Sequence, residues 1–383
     1  MLAIATPSFG KPSETFIHDH VRSIAPGRTV LLCYEGPGTE AAGCPTLVLP
    51  PPTLRRQIVR RAASVLGHAW SGRAGPAINC MTRDNRERSI AFLREAGVRA
   101  MLAEYGPTGV DFAPVAEAVG IPLFVHFHGY DASMMLRDWR TVVRYRELFG
   151  QAAGIVAPSR FLAARLEAVG CPPERMHVNP YGVDPAAFVP ARPEPFRLLC
   201  VGRLVEKKAP HLSIEAFARV AARFPEASLD IVGAGPLERR CRRLIARHKL
   251  SDRVRLRGAL DNSEVAQLMA RSALFLQHSV TAPSGDTEGL GITLLEAMAT
   301  GIPIVVTRHN GFPETVLDGV TGLLVEEHDV DGMAAAIADL LSDAARARAM
   351  GAAGRERVRT LFDRADRTAH LREILGISGA VAT

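Results

Sequence analysis

Acidic residues are missing from one long stretch of this 383-residue chain: between Ala41 and Arg83 there is no Asp or Glu, while Arg55, Arg56, Arg60, Arg61, Arg73 and Arg83 are all present. That segment accounts for the whole formal excess of +6. The remainder sums to about zero, which excludes a generally basic, nucleic-acid-binding surface and makes any basic partner site local. Long hydrophobic runs are also lacking: no uninterrupted apolar stretch reaches the length of a membrane span, and the N-terminus has no basic segment followed by an apolar run and a cleavage site. A soluble, cytoplasmic protein is the expectation. Cysteine is sparse and scattered. Cys33, Cys44, Cys80, Cys171, Cys200 and Cys241 form no Cys-x-x-Cys pair, which argues against a disulfide framework and a thiolate zinc site and leaves reduced, mostly buried thiols.

What is present is an apolar content of 47%, enough for two cores, laid out as alternating strand and helix patterns. Leu2–Thr6 reads as a first strand, followed by a loop containing Gly10 and a helix that Ser13 caps. Strands are expected at Thr29–Tyr34, Thr46–Pro50, Ala100–Tyr105, Ile121–His128 and Gly154–Ser159. Pro185, Pro190, Pro193 and Pro195 then mark a linker. A second series follows, with strands at Phe196–Val201, Val254–Arg257, Leu274–Gln277, Ile302–Thr307 and Gly322–Val325. The architecture expected is α/β, two doubly wound Rossmann-like domains facing across a cleft: residues 1–185, then 186–362, with a last helix from about Asp363 packing back on the first. His126 and His128, two apart near a strand end, share a face and could form half a metal site, but no third ligand is evident nearby in sequence, which argues against it; a satisfied core histidine is the alternative reading of His128. Residues 53–70 form a helical pattern with arginines gathered on one side. An ordinary helix covering the core fits it, and so does a helix lying peripherally on an anionic membrane face.

The most informative stretch is Gly285–Pro303, a glycine-rich loop feeding a short helix. Gly289 and Gly291 let the backbone approach a ligand, and Ala297 and Ala299 let the helix pack closely on a sheet. Glu288 in the loop and Glu296 on the helix supply carboxylates suited to vicinal diols, while helix N-terminal amides suit a phosphate. A diol beside a diphosphate is the outline of a nucleotide sugar.

This arrangement resembles the Glu-x7-Glu motif of the retaining GT-B glycosyltransferases of family 4, and the likeness runs on through Thr307-Arg308-His309-Asn310-Gly311-Phe312-Pro313-Glu314. Gly202-Arg203 with Lys208 resembles that family's Gly-Arg-x4-Lys pattern, although Lys207-Lys208-Ala209 stands where Lys-Gly is usual. Val232-Gly233-Ala234-Gly235-Pro236 resembles its nucleotide-lining turn; Glu238 replaces the third glycine of a dinucleotide fingerprint. Pro12-Ser13-Glu14-Thr15-Phe16-Ile17 is similar to a subgroup that builds extracellular polysaccharides.

The resemblance implies a retaining hexosyl- or glycosyltransferase. His128, Arg203, Lys208 and Glu288 would carry catalysis. Gly10, Gly233, Gly235, Gly289, Gly291, Ile292, Thr293 and Glu296 would hold the donor. Asp131 and Ser13 would lie on the acceptor side. The donor would be a UDP- or GDP-linked sugar and the acceptor a glycan, lipid-linked if residues 53–70 touch the inner face of a membrane. No cofactor is expected, metal included, because protein cations would neutralise the diphosphate. The rival readings are transfer to a soluble small molecule, a nucleotide-sugar epimerase or phosphorylase on the same architecture, and a binding protein that has lost catalysis.

Overall fold

The structure, a computed structural model, describes residues 1–11, 14–36, 42–50, 81–188 and 193–377; Ser13 and the 53–70 helix expected from the sequence lie outside these residues. The chain divides into two compact units. One comprises Met1–Asn179 together with the chain from Thr368 onward, and the other comprises Pro180–Arg367.

The first unit is built on seven parallel strands: β1 (Leu2–Ser8), β2 (Thr29–Glu35), β3 (Thr46–Val48), β4 (Ala100–Glu104), β5 (Leu123–His126), β6 (Gly154–Ala157) and β7 (Met176–Val178). Their order across the sheet is β3-β2-β1-β4-β5-β6-β7. Alternation along β1 sends Ala3 and Ala5 to one face and Leu2 and Ile4 to the other, and each set joins a different apolar cluster. A parallel sheet covered on both faces reads as a near-continuous apolar run, which is why these strands were legible. The last helix, Arg364–Ile374, buries Leu371 in the first unit's cluster, and Arg372 donates to the carbonyl oxygen of Ile24 at 2.8 Å.

The second unit has six parallel strands, β8 (Arg197–Val201), β9 (Ser228–Val232), β10 (Val254–Gly258), β11 (Leu274–Gln277), β12 (Ile304–Thr307) and β13 (Leu323–Val325), in the order β10-β9-β8-β11-β12-β13. It contains a buried charge within its sheet. Asp230 on β9 is fully buried, and it is matched by Arg197 from β8 at 2.9 Å and Arg257 from β10 at 2.7 Å. Without those arginines a carboxylate there would be prohibitively costly.

The division falls at Pro180 rather than after Pro185, because backbone bonds tie the intervening residues to the second unit. Val183 N donates to Phe362 O at 3.0 Å and Arg364 N donates to Val183 O at 2.9 Å, while Arg364 pairs with Asp184 at 3.1 Å. Among the described residues no helix is long and apolar enough to cross a membrane.

The helix Ile292–Thr300, which carries Glu296, packs against the long helix Ala344–Leu361. Closeness there is steric: a Cβ on Gly351 would stand 2.1 Å from the carbonyl oxygen of Gly301. Gly351→Ala is therefore expected to cost about 1–3 kcal/mol by overpacking and to lower Tm by several degrees. Gly150→Ala, on a helix with no atom within 4 Å of the new methyl, should leave Tm unchanged or raise it slightly. Thermal unfolding of the two variants checks both signs.

Candidate functional site

In both units the chemistry-bearing residues gather beyond the carboxyl ends of the parallel strands, where helix N-termini and loops replace the apolar ladder. In the second unit the loop after β8 carries Arg203 and both lysines. It is pinned by the turn after β9: Gly202 N donates to Val232 O at 2.9 Å and Leu204 N to Ala234 O at 3.0 Å. Gly233 makes that approach possible. Its φ is +135°, and a Cβ would lie 2.0 Å from the carbonyl oxygen of Gly202. Gly233 and Gly235, expected to line a nucleotide pocket, thus first serve to hold the Arg203 loop in place.

The adjacent lysines diverge. Lys207 is buried and donates to Asp286 at 3.0 Å and to the Thr287 carbonyl at 3.1 Å, clamping the glycine-rich loop. Lys208 instead pairs with Glu288 at 2.9 Å, both side chains being mostly buried. Arg203 is exposed and, among the described residues, has no ion-pair partner.

Glu288 is set by its backbone as well. Its N–H donates to His309 Nε2 at 3.1 Å and its carbonyl accepts from Asn310 at 2.9 Å. Because Nε2 accepts, His309 carries its proton on Nδ1, which meets Glu327 at 2.5 Å. The Glu327–His309 pair was not anticipated as part of the site. Its signal was the Thr307–Glu314 run, but the partner eighteen residues on depends on β12 lying beside β13.

Burial alone would raise the Glu288 carboxyl. The Lys208 ammonium, Lys207, the Lys208 hydrogen bond and His309 together outweigh it and bring it from 4.5 to about 2. Gly289 is buried in the same loop, and Gly291, at φ +83°, opens the helix Ile292–Thr300 without a side-chain cap. First-turn amides of a helix have no intrahelical acceptor, so this end favours an anion. Glu296 lies four residues after Ile292 on the same face. The Thr293 hydroxyl donates to Gln277 at 3.3 Å.

In the first unit Gly10 follows β1 with φ +99°. His128 lies just past β5, which ends at His126. The His128 side chain is 5% exposed, and its Nε2 meets the fully buried Glu104 at 2.8 Å. The other Glu104 oxygen meets His20 Nδ1 at 2.7 Å. His126 Nδ1 stands 3.8 Å from the same carboxylate, and burial holds the His126 ring well below the ordinary histidine range. His20, Glu104 and His126, rather than the His126–His128 pair, offer ligand atoms within 4.8 Å of one another.

Asp131, expected on the acceptor side, has its carboxylate engaged by the backbone. It is fully buried, and its oxygens accept from the backbone amides of Gly106 (2.9 Å), His128 (2.9 Å) and Gly129 (3.1 Å). It therefore anchors the His128 loop. The chain's one Asp-x-Asp, Asp329-Val330-Asp331, is likewise structural. Asp329 caps a helix through Gly332 N at 2.7 Å, and Asp331 pairs with Arg219 at 3.0 Å.

Residues 19–182 match the family described as Glycosyl transferase 4-like domain, and residues 186–357 match Glycosyl transferases group 1. The putative colanic acid biosynthesis glycosyltransferase WcaL of Salmonella typhimurium is 37% identical over 245 residues, 62% of this chain; the match spans 60% of the length of WcaL. A GDP-mannose-dependent alpha-(1-6)-phosphatidylinositol monomannoside mannosyltransferase of Mycolicibacterium smegmatis is 34% identical over 293 residues, covering 73% of this chain and 75% of that protein. Among solved structures, Anabaena HepE in complex with UDP shares the fold with a TM-score of 0.79 at 19% identity, over 98% of this chain and 100% of that one.

A carboxyl depressed in the folded state contributes stability that is present above its unfolded value near 4.5 and is lost as pH falls toward about 2. Stability of the wild type should therefore fall more steeply between about pH 5 and pH 2 than that of Glu288→Gln. Parallel acid-unfolding curves for the two proteins are the check, and equal slopes would show that the Lys208 pair does not hold Glu288 ionised.

Proposed function

The chain belongs to the glycosyl transferases of group 1 and has the GT-B fold, and from that premise we propose that it transfers a sugar from a nucleoside diphosphate donor to an acceptor hydroxyl with retention of anomeric configuration. The observation that carries this reading is the meeting of Lys208, Glu288 and an uncapped helix N-terminus at one end of one sheet. The donor is UDP- or GDP-linked. A GDP-mannose-dependent relative and a structural neighbour that holds UDP support testing both. The acceptor is a glycan, lipid-linked or free, in polysaccharide or glycoconjugate assembly, as the colanic acid and phosphatidylinositol mannoside relatives suggest.

The leaving diphosphate gains charge as the glycosidic bond breaks. Arg203, Lys208 and the amides after Gly291 stabilise that charge more in the transition state than in the ground state. A diphosphate competes with Glu288 for Lys208 and frees the carboxylate for a sugar hydroxyl. Glu296 takes the ribose diol. Glu288 is not a covalent nucleophile, and transfer proceeds on one face of the sugar. No divalent metal takes part, so EDTA should leave turnover unchanged. On the first unit, His128 hydrogen-bonds a hydroxyl of the sugar or of the acceptor.

The first test is nucleotide release from a panel of UDP-, GDP- and ADP-sugars, with thermal shift alongside. A cognate donor at a hundred times its Kd stabilises the fold by about 2.7 kcal/mol. Lys208→Ala and Arg203→Ala are each expected to lower kcat by about 10²–10³-fold, the scale of a lost oxyanion donor, and Glu296→Ala should raise the donor KM. A protein that no donor stabilises would remove the reading altogether; NMR of the product anomer decides retention.

Residues 53–70 are assigned a peripheral contact with anionic lipid at the cytoplasmic face, on the strength of their acid-free basic sequence. Wild type should sediment with anionic vesicles, and an Arg56→Glu, Arg60→Glu double variant should not. Equal partitioning of the two would dismiss the contact.

A further inference from the structure

We propose that the recess between the helices Pro210–Ala221 and Glu238–Arg247 is a second anion site of the second unit, in which Arg240, Arg243 and Arg247 hold a phosphate-bearing ligand.

Composition points there first. The helix Glu238–Arg247, which follows β9, reads Glu-Arg-Arg-Cys-Arg-Arg-Leu-Ile-Ala-Arg, five arginines against one acid. Cys241 and Ile245, four apart, are buried in the second unit's core, and the arginines stay outside it. Arg240, Arg243 and Arg247 stand at i, i+3 and i+7 and so share one side of the helix, where like charges at these spacings oppose each other. The helix's own acid offers no relief, because Glu238 is taken by Arg242 at 2.6 Å. Arg240 reaches Glu206 only at 4.0 Å. Arg243 and Arg247 have no ion-pair or hydrogen-bond partner among the described residues.

A basic helix face is ordinarily left to solvent, and two further observations separate this one from that case. The three arginines border a concave space of about 400 Å³, whose other wall is the start of Pro210–Ala221 with His211, Leu212 and Glu215. Within that lining His211 is 6% exposed, and its Nδ1 is buried without a hydrogen-bond partner. Buried polar groups are normally paired, so an unpaired imidazole at the edge of a cationic recess points to a ligand. Burial, with Arg240 and His328 adding to it, brings the ring down to about 4, so at neutral pH it contributes a hydrogen-bonding group and no charge. Glu215 is the one acid in the lining, and it faces His248 at 2.9 Å. Arg203 and Lys208, the cations assigned above to the donor, do not line this recess.

The residue type selects the ligand. A guanidinium offers a planar fork of N–H donors that matches two oxygens of a phosphate. Arg240 and Arg247 are about 10 Å apart along the helix axis. A diphosphate, or a phosphate ester with a polar body, fills that span and brings more than one negative charge to it. Soluble phosphate esters and phospholipid headgroups share this chemistry.

Inorganic pyrophosphate, titrated calorimetrically at physiological ionic strength so that diffuse surface attraction is screened, tests the site. Wild type should take up two equivalents, one at the donor loop and one here. Arg203→Ala should weaken the first, and an Arg243→Gln, Arg247→Gln double variant should weaken the second at least tenfold. Both arginines are exposed, so a Tm of the double variant at or above the wild-type value is expected and shows that it folds. A double variant that binds pyrophosphate as wild type does overturns the proposal. Weakening in the double variant with none in Arg203→Ala supports it, and counts against the donor assignment alone. Sedimentation with phosphatidylcholine vesicles containing phosphatidic acid then identifies the source. Lower sedimentation of the double variant than of wild type supports a lipid headgroup, and equal sedimentation with pyrophosphate binding weakened supports a soluble phosphate ester.

Discussion

A sheet of parallel strands covered on both faces has little room for charge away from its strand ends, and every charge that enters must arrive with its partner. This constraint organises both units. Asp230 shows the rule inside the sheet, where two arginines from the neighbouring strands meet one carboxylate. Glu104 and Glu288 show it at the carboxyl ends, where partners are histidines in one unit and lysines in the other. Glu104 and Glu288 are held below the ordinary carboxylate range because the groups that bury them also bring the compensating protons or charges.

Close backbone approach is the second requirement, and the glycines supply it at particular places. Gly233 lets the turn after β9 touch the loop after β8, so the position of Arg203 depends on a residue thirty positions away. Gly351 does the same for the helix bearing Glu296. Neither contact involves a functional side chain. Each fixes how precisely one is presented, and precision of this kind separates a site that merely contains the right groups from one that places them.

The strands were legible because their apolar runs are short and bounded: Leu274–Gln277 ends in the structure where its pattern ends, and Gly285–Pro303 announces a loop and helix by composition alone. Direction was harder to read. Asp131 follows His128-Gly-Tyr and looks like a ligand group in sequence, yet its oxygens are turned back onto three backbone amides. Glu104 closes an apolar strand and resembles the ordinary polar residue that ends one. Its importance comes from His20, 84 positions earlier, and His128, 24 positions later, which only the β1-β4-β5 order brings together. The linker prolines could not reveal that residues 183 and 184 pair with residues 362 and 364.

The two ends also differ in kind. Around Glu288 there are more cations than the carboxylate can neutralise: Lys208 is paired, Lys207 is spent on Asp286, and Arg203 stands exposed at the same loop. Such an excess favours a polyanion and would be wasted on a neutral ligand. Around Glu104 the balance is the reverse, one carboxylate shared by two imidazoles, with a third, buried imidazole beside them whose charged form burial disfavours. That surrounding offers hydrogen bonds of fixed direction and little net field, which suits an uncharged hydroxyl.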